Sequence, residues 1–185
     1  IFAMPFALIG FVLGIAALKN NNILLQTNEV AIRFCLVLIC MITARSAAMG
    51  FNRYLDRHFD QLNPRTAIRE IPAGIIKAEK ALGFVIANAL IFIIATYFIN
   101  PICFYLSPVA LFVILFYSYT KRFTYLCHLV LGVGLSLAPI GAYLAVTGVF
   151  DILPLLFSFA IIFWVSGFDI IYSLQDAEFD KSLAL

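Results

Sequence analysis

Charge is what this chain has least of. Of its 185 residues only 12 are Lys or Arg and 10 are Asp or Glu, while 64% are hydrophobic. A soluble domain of this length has nowhere to hide so much apolar surface, so the solvent it implies is lipid. Basic runs and basic residues interleaved with aromatics are missing, and the net charge is only +2, which excludes nucleic acid as a partner. Cysteine is sparse too. Cys35, Cys40, Cys103 and Cys127 form no Cys-x-x-Cys pair and are expected to be buried apolar residues, not disulfides or metal ligands. No charged segment followed by a cleavage site marks a signal peptide. The chain opens at Ile1, already hydrophobic, and closes at Leu185, so both ends are expected to have been trimmed from a longer polypeptide.

What is present is a set of long hydrophobic runs. They predict an all-α transmembrane bundle of about six spans, in one domain over 1–185. The spans cover Phe2–Leu18, Val30–Phe51, Ala81–Ile99, Pro101–Tyr119, Leu129–Val149 and Ile152–Leu174. Polar or turn-forming breaks separate them, the longest being Arg53–Lys80. Arg45, Arg53, Arg57, Arg65, Arg69, Lys77, Lys80, Lys121, Arg122 and Lys181 fall on one side, ten of the twelve basic residues, leaving Lys19 and Arg33 for the other. The positive-inside rule makes the rich side cytoplasmic.

The few acidic residues are placed on that same side, at span ends, where a carboxylate is costly unless something binds it. Asn52, Asp56 and Asp60 are four residues apart, each step advancing a helix about 40° past a full turn, so all three share one face. Asp169, Tyr172, Asp176 and Asp180 repeat the stripe at spacings of three, four and four, with Gln175 and Glu178 among them. Like charges this close on one helix repel unless a cation lies between them. Two such helices facing one another make an oxygen-lined cage suited to Mg²⁺, which takes a few carboxylates, several waters and substrate phosphate oxygens. Asn52, Asp56, Asp60, Asp176 and Asp180 are the candidate metal ligands, and a diphosphate is the expected substrate group. Arg65, Arg69, Lys121 and Arg122 lie on the same side and are candidates to hold the diphosphate as it leaves. Arg45 is two turns below Asn52 on its stripe; an arginine at that depth needs an anionic partner or a water-filled cavity.

Other residues invite plainer readings. Gly10 and Gly14 form a Gly-x-x-x-Gly for close helix packing, and Pro108, Pro139 and Pro154 are kinks in or near spans. Trp164 reads as a packing residue. His58 lies beside the first stripe but off it, solvated or supporting, and His128 reads as an ordinary loop residue.

The two stripes and the segments between them resemble the UbiA-type intramembrane aromatic prenyltransferases, and most of all the 4-hydroxybenzoate polyprenyltransferases. The residues carrying the resemblance are Asn52-Arg53-Tyr54-Leu55-Asp56-Arg57-His58-Phe59-Asp60, Asn63-Pro64-Arg65-Thr66 with Arg69, and Pro72-Ala73-Gly74. Tyr119-Thr120-Lys121-Arg122-Phe123-Thr124 and the run from Asp169 to Asp180 complete it, in order along nearly the whole chain. The resemblance implies Mg²⁺ dependence and transfer of a polyprenyl group from its diphosphate to the ring of 4-hydroxybenzoate or a similar aromatic acid in quinone biosynthesis. It implies a helical membrane fold with a central cavity open to the cytoplasm, in a multi-pass protein of a bacterial inner membrane. By the same likeness Asn52, Asp56 and Asp60 hold metal on one side of the diphosphate and Asp176 and Asp180 on the other. Asp169 and Tyr172 then line the cavity, Lys121 contacts the diphosphate, and Arg45 meets the acceptor carboxylate. The chain departs from the family in having Arg53 where many members have Asp, and in stopping after six spans where the family has about nine.

Three other readings compete. Prenylation of 1,4-dihydroxy-6-naphthoate for menaquinone keeps the chemistry and changes the acceptor. A CDP-alcohol phosphotransferase needs Asp-Gly and Ala-Arg within one aspartate run, which this sequence lacks. An ion-coupled transporter would place its carboxylates near the bilayer midplane on broken helices, whereas these stand at span ends. The sequence carries no signal for isoprenoid length or oligomeric state.

Overall fold

A computed structural model of the chain describes residues 3–120, 122–124 and 126–174. Six α-helices occur among the described residues: α1 Met4–Asn20, α2 Thr27–Leu62, α3 Ala78–Ile99, α4 Pro101–Thr120, α5 Cys127–Thr147 and α6 Ile152–Ser173. Among the described residues there is no strand. Helices α2 to α6 are long and apolar enough to cross a membrane, and α1 is an apolar helix of 17 residues. The fold is thus the helical membrane bundle that the hydrophobic runs predict. Helix α2 runs on past the end of its hydrophobic span at Phe51 to Leu62, keeping the acidic stripe helical as its spacing predicts. Its 36 residues make a rod ~54 Å long, well beyond the roughly 30 Å of a bilayer core, so the last turns carry the first acidic stripe out of the apolar zone.

Local chemistry sets the helix ends. Gln26 and Glu29 form a capping box at the start of α2. A single residue, Asn100, joins α3 to α4. Its Oδ1 accepts from the Cys103 N–H at 2.9 Å, and its Nδ2 donates to the Leu144 carbonyl of α5 at 2.8 Å. Gly148 ends α5 in the left-handed region at φ 71°, and Asp151 caps α6 by accepting from the Leu153 N–H at 3.3 Å. Pro108 within α4 cannot supply the N–H that the Phe104 carbonyl would accept, and the Ser107 hydroxyl donates to that carbonyl instead, at 2.8 Å.

Helix α5 runs through the middle of the bundle against α1, α4 and α6, while α2 packs on α3 and α4. Lipid tails are as apolar as leucine, so close approach of backbones supplies the attraction that water exclusion gives a soluble core. Glycine makes that approach possible. A Cβ at Gly10 would overlap the Pro139 backbone, one at Gly14 would sit 2.8 Å from Val146 Cβ, and one at Gly132 would sit 2.6 Å from the Ile162 carbonyl of α6. The Gly-x-x-x-Gly is therefore the α1–α5 seam. Trp164 packs edge-on to Phe6 with ring centroids 5.5 Å apart, the packing role expected of it.

The two ends of the bundle differ in charge. Arg33 donates to the Ala145 and Val146 carbonyls at 3.2 and 2.6 Å, closing the last turn of α5 at the basic-poor end. Exposed Tyr97, Phe98 and Tyr105 cluster at the α3–α4 turn of that end, as amphipathic rings do at a membrane boundary. The other end gathers the C-termini of α2, α4 and α6 and the start of α5. None of the four cysteines forms a disulfide. Cys40, Cys103 and Cys127 are buried as expected, but Cys35 is not, because it lies on the outward face of α2.

Candidate active site

The end of α2 presents its acidic stripe inward. Asp56 and Asp60 are each only 7% exposed, Asn52 is half-buried, and His58 points outward, off the stripe. Two buried carboxylates one turn apart need compensation, and arginines from two different connections supply it. Arg69 donates from Nη1 to both oxygens of Asp60, at 2.8 and 2.9 Å. Arg122 donates to the Leu55 carbonyl at 2.8 Å, with its Nη2 3.7 Å from Asp56 Oδ1 and its guanidinium 5.6 Å over the Phe59 ring.

The segment after α2 folds so that Arg69 can reach back. Asn63 accepts from the Arg65 N–H through its side chain at 2.9 Å and from the Thr66 and Ala67 N–H groups through its carbonyl, a turn that Asn-Pro favours. The Thr66 hydroxyl then donates to the Asp60 carbonyl at 3.0 Å, tying the turn to the helix end. Asn63 and Thr66 are both buried, whereas the Arg65 side chain is exposed. Arg53 pairs with Glu70 of this segment and so acts as a second tie. The Glu70 carboxyl is held below its usual range, first by its own backbone N–H and then by Arg53.

From the other side of the bundle, α6 contributes Asp169. Its Oδ2 is 2.8 Å from Nδ1 of His128, which lies in the first turn of α5 and not in a loop as the sequence suggests. The Ser166 hydroxyl, one turn before Asp169 on α6, shares its proton between the Ile162 carbonyl at 2.6 Å and the His128 carbonyl at 3.1 Å. The Tyr117 phenol of α4 feels the charge of both Asp169 and Asp56. Tyr172 is exposed and stacks on Phe168 at 6.4 Å. Arg45 is exposed on α2, and no hydrogen bond or ion pair engages it among the described residues. Asp176, Asp180 and Lys121 lie outside the described residues.

Sequence reasoning missed His128, Tyr117 and the Arg53–Glu70 pair. His128 had a signal. It and Asp169 are nearly equidistant from the turn at Gly148, so an antiparallel α5–α6 hairpin sets them level. Tyr117 had none, since which face of α4 turns inward is a matter of packing.

The oxygen donors can be tested against Mg²⁺. Asp56 and Asp60 with the Asn52 amide form a hard, one-sided donor set, and Mg²⁺ takes one or two protein carboxylates with waters and phosphate completing its shell. They fit as one half of a site. No group of three or more His, Cys, Asp or Glu able to hold a metal occurs among the described residues.

The chain is similar to known proteins along most of its length. The model of the UbiA prenyltransferase family matches residues 3–184. A 4-hydroxybenzoate octaprenyltransferase of Tolumonas auensis is 35% identical over 141 residues, 76% of this chain and 49% of the relative. One from Francisella tularensis subsp. novicida is 29% identical over 147 residues, 80% of this chain and 52% of the relative. The chain thus spans about half the length of these curated relatives. Its fold superimposes on the apo structure of a UbiA homolog from Aeropyrum pernix K1 with a TM-score of 0.84 at 31% identity, covering 98% of this chain and 65% of that one. With a match along almost its whole length and the same helical bundle, the chain belongs to the UbiA prenyltransferase family.

Proposed function

We propose that the protein is an aromatic prenyltransferase that moves a polyprenyl group from its diphosphate to the ring of 4-hydroxybenzoate or a similar aromatic acid. The observation that carries the reading is the inward pair Asp56 and Asp60, each compensated by an arginine from a different connection, at the same end as Asp169. Such an end recognises a polyanion that arrives with its own cations. Family membership and the names of the similar relatives support the aromatic acceptor.

Asn52, Asp56, Asp60, Asp176 and Asp180 would hold Mg²⁺, which would supply charge neutralisation for the departing diphosphate. Arg69, Arg122, Arg65 and Lys121 orient the diphosphate oxygens and stabilise charge as the allylic C–O bond breaks. Arg45, deep on α2 and free of protein partners among the described residues, takes the acceptor carboxylate and points the ring at the isoprenoid carbon. Apolar side chains keep water from trapping the cationic carbon. The basic-rich end faces the cytoplasm of a bacterial inner membrane by the positive-inside rule.

The test is incorporation of radiolabelled polyprenyl diphosphate into 4-hydroxybenzoate and 1,4-dihydroxy-6-naphthoate, with the full-length polypeptide in membranes, with and without Mg²⁺. Label should enter one of these acceptors only with the cation, and Asp56→Asn combined with Asp176→Asn should abolish it without preventing membrane insertion. Undiminished transfer by the double variant would overturn the metal assignment, and no transfer to any aromatic acid would overturn the function.

A further inference from the structure

We propose that His128 activates the acceptor, its Nε2 accepting the proton of the phenolic hydroxyl while Asp169 holds the imidazole in place. The inference rests on the aromatic-transfer reading above and adds to it a residue and a chemical step.

Prenylation at a ring carbon needs an electron-rich ring, and a phenol whose proton is being withdrawn is far more nucleophilic at its ortho carbon than a neutral one. A general base within reach of the hydroxyl is worth about 10²–10⁴-fold. The described residues at this end of the bundle offer few candidates. Asp60 is bound through both oxygens by Arg69, Asp56 lies against Arg122, and Glu70 is tied to Arg53. His58 faces outward from α2.

His128 differs from all of these. Its Nδ1 is 2.8 Å from Asp169 Oδ2, so the carboxylate favours the tautomer with the proton on Nδ1, which leaves the lone pair on Nε2. No hydrogen bond engages Nε2 among the described residues. The two side chains are 24% and 21% exposed, enough for a ligand to reach and too little for free rotation. Their backbones are fixed as well. The Ser166 hydroxyl bonds the His128 carbonyl, and Gly132, one turn further along α5, lets α6 come close enough to bring Asp169 level. A mere helix–helix clip would need the Nδ1 contact and nothing else. A base also needs the open nitrogen and the carboxylate behind it, as in catalytic dyads generally.

The step balances. The phenolic O–H breaks and its proton passes to Nε2, the imidazolium being stabilised by Asp169. The electron pair delocalises to the ortho carbon, which bonds the isoprenoid carbon as the allylic C–O bond breaks and diphosphate departs. The ring C–H proton then leaves to a diphosphate oxygen, and the imidazolium returns its proton to the phenolic oxygen as the ring becomes aromatic again.

The experiment compares the full-length protein with His128→Gln and His128→Ala across acceptors of graded phenol acidity, 4-hydroxybenzoate and its ring-fluorinated analogues, at one pH. His128→Gln can still donate to Asp169 and preserves the clip. With 4-hydroxybenzoate both variants should lose about 100-fold in acceptor kcat/KM while the KM for the prenyl diphosphate is unchanged. The loss should shrink at least tenfold for the most acidic phenols, which enter already ionised. A merely structural role predicts the same loss for every acceptor, and that result, or no loss at all in His128→Gln, would overturn the assignment. A wild-type protein that alkylates none of the phenols would instead sink the proposed function, and this role with it.

Discussion

Replacing Arg69 with Met tests how the acidic end of α2 is held together. Asp60 is 7% exposed and accepts two contacts, of 2.8 and 2.9 Å, from one guanidinium nitrogen. Leaving a buried carboxylate without its cation costs about 3–5 kcal/mol where burial is complete. The Arg69 side chain is itself 32% exposed, so water can follow it out, and the expected cost falls to about 2–3 kcal/mol. Asp60→Asn removes the charge that needs a partner and should cost less. The double variant Asp60→Asn with Arg69→Met should be hardly worse than Asp60→Asn alone, a coupling of about 2 kcal/mol for groups in direct contact. SDS-driven unfolding in mixed micelles, followed by fluorescence of the single tryptophan Trp164 against Phe6, measures all four corners of the cycle. Coupling below about 0.5 kcal/mol would mean that Asp60 is solvated in the protein and that the inward acidic face does not exist as described.

Three further outcomes follow from particular contacts. Gly132→Val should destabilise the α5–α6 seam by about 1–3 kcal/mol and pull His128 from Asp169, whereas Gly141→Ala, with nothing near its Cβ, should be neutral; equal thermal shifts for the two would contradict the packing. Glu70 has its carboxyl pKa lowered in the folded state, so its contribution to stability is present above its ordinary value of 4.5 and is lost as pH falls through the lower folded value. Hydrogen exchange of the segment 63–77 should accelerate over that acid window and lose this dependence in Glu70→Gln; an unchanged profile in the variant would remove the Arg53–Glu70 tie. Arg45→Ala should raise the acceptor KM about tenfold or more with little change in the prenyl diphosphate KM, and unaltered acceptor kinetics would take Arg45 out of the site.

Much of the molecule was legible in the sequence because lipid imposes a simple rule. A backbone in hydrocarbon must satisfy its own hydrogen bonds, so each apolar run had to be a helix, and the polar breaks had to be its ends. The stripe Asn52, Asp56, Asp60 was readable for the same reason, since helical periodicity alone puts those residues on one face. Hydrophobicity ends the span at Phe51 because it marks where the membrane stops, not where a helix does, and the spacing of the stripe carried the helix on to Asp60. Residues from Asn52 to Leu62 remain helical on polar propensity and on the ties from Thr66, Arg69 and Arg122.

The sequence by itself determined the solvent, the number and order of the helices, and which end would collect the charge. Those are one-dimensional properties, set by the length of apolar runs and the spacing along them. Only the tertiary structure decided which arginine answers which carboxylate, that the Gly-x-x-x-Gly meets Pro139 and Val146 of α5, and that Asp169 stands behind His128. These pairings join residues far apart in the chain. They depend on how each helix is rotated about its axis, a choice made by glycine-sized gaps and buried charges between helices and not by any single helix's pattern.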